Sequence, residues 1–137
     1  DGFVAIASFL AADEIKGVQE TMARIIADDV TGMAPEKAFY EVKGDQNTLK
    51  QIQSLDQVDP FFHRMLFGSR FEQLAALLLE DGVQGKNLQY FNKPPMIGQA
   101  TPPHQDGYYF MLSPNEAVTM WLALEDVDEE NGCVRYV

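Results

Sequence analysis

Thr101-Pro102-Pro103-His104-Gln105-Asp106-Gly107-Tyr108-Tyr109-Phe110, followed by Val118-Thr119-Met120-Trp121-Leu122-Ala123-Leu124, is the stretch on which the fold of this chain turns. In its second part Val118, Met120, Leu122 and Leu124 alternate with Thr119, Trp121 and Ala123, so an extended strand here is largely apolar on both faces. Such a strand belongs inside a sandwich or barrel. The first part, around Thr101 to Tyr109, is also expected to be a strand, as is Leu88 to Phe91 beyond the Pro94-Pro95 loop. Asn131-Gly132 is the dipeptide favoured in two-residue hairpin turns, and Cys133 to Val137 is expected to begin the returning strand.

Upstream of this β-rich unit the pattern is helical. Gly2 to Phe9 is mostly apolar and expected as an initial strand, after which Ile15, Val18, Met22, Ile25 and Ile26 recur at helical spacing and predict a helix from about Asp13 to Asp28. Pro35, Gly44 and Asn47 break up the stretch from Thr31 to Thr48, leaving only Phe39-Tyr40-Glu41-Val42 as a short strand. Asp59-Pro60 has the form of an N-cap followed by proline at the first helical position, and Gly68 closes that helix. Ser69 and Glu72 have capping-box spacing for a further helix, in which Phe71, Leu74, Leu77 and Leu78 form the expected buried stripe. The chain carries no internal repeat or low-complexity segment and is expected to be a single domain over residues 1–137, of α+β class.

Composition narrows the function. Apolar residues make up 46% of the chain and charged residues 23%, values of an ordinary globular protein able to bury a core. The formal charge of −11 disfavours nucleic-acid partners, and a dianionic ligand would have to find its cations among 10 lysines and arginines. No apolar run is long enough for a membrane span and no signal peptide is visible, while the lone Cys133 suits a reducing compartment. The expected location is the cytoplasm.

In an extended segment the side chains at i and i+2 share a face, so His104 and Asp106 can reach one metal ion while Gln105 points away. An imidazole nitrogen beside a carboxylate oxygen suits Fe(II), which in two-histidine, one-carboxylate sites keeps three positions open. The bare triplet is common in proteins, and the sequence around it is what makes it specific. Pro102 to Phe110, the Val118 to Asp126 segment and Glu130-Asn131-Gly132-Cys133 together resemble the phytanoyl-CoA dioxygenase family, strongly from about Leu88 onward and weakly before it.

That resemblance implies a double-stranded β-helix, or jelly-roll, of cupin-like architecture with the helical part packed on it, here incomplete at its C-terminal side. It also implies Fe(II) as cofactor, 2-oxoglutarate and O2 as co-substrates, and hydroxylation of a small organic or lipid-like molecule. His104 and Asp106 match the first two iron ligands; the distal His and the Arg that pairs with 2-oxoglutarate lie past Val137 in family order. Trp121, Gln89 and Lys50 match family contacts to 2-oxoglutarate. His63, on a helix, and Arg135, too early in the order, are read as ordinary structural or surface residues. Two other readings compete: a jelly-roll binding module without turnover, and a cupin-like metal enzyme that does not use 2-oxoglutarate.

Overall fold

Ile25, Ile52, Leu55 and Phe62 are the most deeply buried large side chains, and the elements that carry them make the core. The computed structural model describes residues 2–136. Helix α1, Ala12–Asp28, buries Val18, Met22 and Ile25, three positions of the expected stripe, and its first turn is closed by Glu14, whose carboxylate accepts the Ala11 N–H at 2.8 Å. Its last turn is followed by a short 3-10 turn, Val30–Gly32, that adds Val30 to the same core.

Three strands form one antiparallel sheet in the order β1 (Ala38–Tyr40), β2 (Leu49–Ile52), β3 (Tyr90–Phe91). β1 begins one residue earlier than the aromatic run suggests, and an irregularity between Phe39 and Tyr40 shifts its register on β2. β2 has no counterpart among the expected elements. Its sequence Leu49-Lys50-Gln51-Ile52 buries both ends and not every second residue, so it carries no period-2 signature.

Two short helices follow, α2 (Leu55–Val58) and α3 (Pro60–Leu66). Asp59 caps α3 as its sequence predicts, accepting the Phe61 N–H at 2.7 Å, and α3 turns Phe62 into the core. Helix α4, Arg70–Leu79, is capped by Ser69, while Glu72 reaches back to the Gly68 N–H at 2.6 Å. The expected buried stripe of α4 does not form: Leu77 is 73% exposed and none of the helix is fully buried. Apolar spacing specifies a face; Phe9 packs edge-on to Phe71 at its start, while Leu77 and Leu78 farther along stay exposed.

The expected strands of the C-terminal part are largely replaced by irregular chain. Leu88 to Phe91 contracts to the two residues of β3. Residues 101–106 form no strand, because Pro102 and Pro103 offer no N–H for a ladder and Asp106 turns into a one-turn helix, α5, Gly107–Phe110. Val118 to Leu124 pairs with no neighbour among the described residues, and a strand needs a partner backbone whatever its side-chain pattern. Gly2 to Phe9 and residues 133–136 are likewise not strands, and Val137 lies outside the described residues. Asn131-Gly132 does form a turn, with Gly132 at φ +94°, held by the Asp128 carbonyl and carboxylate.

Among the described residues no helix is long and apolar enough to cross a membrane.

Candidate functional site

The prolines that forbid a strand also shape the site. Pro102 leaves its carbonyl free, and it lies 2.9 Å from Nδ1 of His104. With Nδ1 as the protonated nitrogen donating to that carbonyl, the lone pair of Nε2 points the other way, the arrangement typical of metal-binding imidazoles. Nε2 stands 3.2 Å from Oδ1 of Asp106, and both side chains are about two-fifths exposed. Irregular chain thus brings together the two residues that an ideal strand was expected to align.

Asp106 sits at the N-cap position of α5 yet makes no capping hydrogen bond, so its carboxylate is available to the site. Its second oxygen, Oδ2, accepts a hydrogen bond from the Thr119 hydroxyl at 2.6 Å. Tyr109 packs edge-on to the imidazole with ring centroids 5.9 Å apart. Gly107 adjoins this pair, and a Cβ there would come within 2.9 Å of the Asn115 side-chain amide, which would have to shift.

The spacing fits two adjacent ligands of one ion. Ligands at right angles on an octahedral metal with bonds near 2.1 Å lie about 3 Å apart, close to the observed separation. A nitrogen with a carboxylate oxygen is a donor set suited to Fe(II). No group of three His, Cys, Asp or Glu side chains that could hold a metal occurs among the described residues.

The other expected site residues are not gathered around this pair. Lys50 lies on β2 with Nζ 3.6 Å from the Glu41 carboxylate, whose other oxygen accepts the Gln99 N–H at 3.4 Å. Gln89 accepts a hydrogen bond from Gln51 at 2.9 Å, and strand alternation sends Gln51 to the face opposite Lys50. Trp121, expected on a buried strand, is 52% exposed. His63 is exposed on α3 beside Phe67, and Arg135 pairs with Glu129 at the surface. Cys133 is half-buried.

Thr119 is the residue that sequence reasoning passed over. Its signal was present: in the alternating segment it shares a side with Trp121, the residue assigned to the pocket.

The family model for phytanoyl-CoA dioxygenase (PhyH) matches residues 1–137. The chain belongs to the phytanoyl-CoA dioxygenase family. Among curated relatives, phytanoyl-CoA dioxygenase 1 of Oryza sativa subsp. japonica is 26% identical, with 98% of this chain and 59% of the relative covered. Phytanoyl-CoA dioxygenase of Arabidopsis thaliana is 27% identical, with 97% of this chain and 58% of the relative covered. The protein named phytanoyl-CoA dioxygenase, peroxisomal, of Mus musculus is 26% identical over 98% of this chain and 42% of its own length. The chain therefore spans about three-fifths or less of these relatives. No solved structure matches it.

Proposed function

We propose that this chain carries two metal ligands of an Fe(II)- and 2-oxoglutarate-dependent dioxygenase that hydroxylates a small organic or lipid-like substrate. The observation that carries the reading is the 3.2 Å approach of His104 Nε2 to Asp106 Oδ1, within a sequence that matches the dioxygenase family from end to end. When bound, Fe(II) with 2-oxoglutarate supplies the activation of O2 for insertion into a C–H bond. The protein's own share is to hold, orient and dry the site. Pro102 fixes the His104 ring and Asp106 supplies a carboxylate oxygen. Trp121 is assigned to the pocket wall by family position.

Lys50 and Gln89 are assigned to 2-oxoglutarate by family position. For Lys50 this requires exchanging its partner Glu41, whose side chain is 14% exposed, for the co-substrate carboxylate. The third protein ligand and the co-substrate's arginine fall outside residues 1–137 in family order. Residues 1–137 are proposed as a single domain, the N-terminal portion of a jelly-roll oxygenase with its helical part packed on the barrel. The cytoplasm is the proposed location, with the peroxisome as the alternative that the mouse relative's name suggests.

Anaerobic addition of Fe(II) and 2-oxoglutarate to the intact protein should produce a visible metal-to-ligand charge-transfer band, and His104→Ala should abolish it. A missing band, or one that survives His104→Ala, would refute the assignment. Succinate release distinguishes the remaining readings: a binding module gives metal uptake without succinate, and a cupin-like enzyme of another type gives turnover that does not depend on 2-oxoglutarate.

A further inference from the structure

The geometry points to Thr119 as the residue that positions Asp106 as a one-oxygen metal ligand. This rests on the proposed metal site at His104 and Asp106, and it explains how that carboxylate is kept from using both oxygens.

A site that must leave three positions for co-substrate and O2 needs its carboxylate to occupy only one position on the metal. A free aspartate can rotate about its terminal torsion and offer both oxygens, since that torsion is broad and roughly two-fold. Here the two oxygens are already differentiated. Oδ1 lies toward His104 Nε2 at 3.2 Å, and Oδ2 accepts the Thr119 hydroxyl at 2.6 Å, in the short range typical of hydroxyl-to-carboxylate bonds.

The β-branched side chain suits the task, because Thr has few χ1 choices and holds its hydroxyl more firmly than Ser would. The contact spans 13 residues, joining the α5 turn to the Val118–Leu124 segment that also bears Trp121. One hydroxyl therefore ties the turn that carries Asp106 to the segment that carries Trp121. Thr119 is exposed, so the hydrogen bond matters little to folding and its role must be sought in ligation.

Mn(II), an EPR-visible oxygen- and nitrogen-binding ion, tests this without turnover. In the intact protein Thr119→Val, which keeps the shape and removes the hydroxyl, should weaken Mn(II) binding about 10-fold or more, within the range of outer-shell substitutions. Thr119→Ser should restore most of the affinity, and the unfolding midpoint should be the same for all three proteins. Mn(II) affinity that is unchanged in Thr119→Val would overturn the inference, as would a loss that Thr119→Ser does not recover. His104→Ala, measured alongside, separates the two levels: if it too binds Mn(II) normally, the metal site itself is misassigned. Loss in His104→Ala with none in Thr119→Val removes only the role of Thr119.

Discussion

The two parts of the chain are built on different physics. Every buried apolar residue of the core, Val18, Met22, Ile25, Val30, Ala38, Leu49, Ile52, Leu55 and Phe62, lies before α4, and no residue from 95 to 136 is buried. The early part is held by excluded water and the later part by individual hydrogen bonds: Thr119 to Asp106, the Asp128 turn, and Gln19 donating to the Leu124 carbonyl. The core and the His104–Asp106 pair therefore lie in separate regions. A site on sparsely buried chain gains order from what it binds, since ligation energy and local folding energy are coupled.

The sharpest way to break this contrast is to remove one large side chain from each part. Phe62→Ala deletes a ring that is 2% exposed and should cost about 3–5 kcal/mol, while Trp121→Ala, at 52% exposure, should cost less than about 1 kcal/mol. Urea unfolding of both variants decides the matter. Comparable losses would mean that Trp121 is packed in solution, as the sequence pattern suggests. Trp121→Ala should instead be read out at the site, through weaker binding of 2-oxoglutarate.

A smaller effect is expected at the junction of α1 and α3. Asp59 accepts the Phe61 N–H and also pairs with Arg24, which reaches Asp29 at 3.2 Å as well. Asp59→Ala should lower stability by about 1 kcal/mol through the lost cap, with Asp59→Asn retaining most of it. Equal losses in the two variants would transfer the effect from the cap to the Arg24 pair.

Legibility in the sequence follows the same division. α1, the Asp59-Pro60 start of α3 and the Ser69 cap of α4 were readable because each depends on neighbours within a few residues. β2 was not, because its burial alternates irregularly and its identity depends on distant partners, such as Ala38 opposite Ile52 and Tyr90 opposite the same residue from the other side. The His104 and Asp106 pair was legible through i, i+2 spacing, although the prolines and the α5 turn bring the side chains together by another route. Thr119 was hidden because its hydrogen bond to Asp106 joins segments that no local rule connects. Lys50 was matched by family position alone, and its Glu41 partner could be found only once β1 and β2 were paired.

The smallest expected effect sits where the two regions meet. Tyr90 on β3 has its hydroxyl pKa raised above the ordinary 10.0, first by burial and then by the negative charge of Glu125. Both Tyr90 and Leu124, the neighbour of Glu125, pack against the core. Below pH 10.0 the tyrosine is neutral in folded and unfolded chains alike, and its contribution is fully present. As pH rises through that value the unfolded chain gives up the proton first, so stability falls. Urea midpoints taken from neutral to strongly alkaline pH should therefore decline less in Tyr90→Phe than in the parent, with Glu125→Gln between them. Parallel declines would show that Tyr90 is not the source. A Glu125→Gln profile identical to the parent would leave burial alone as the cause of the Tyr90 shift and separate the charge of Glu125 from the stability of the sheet.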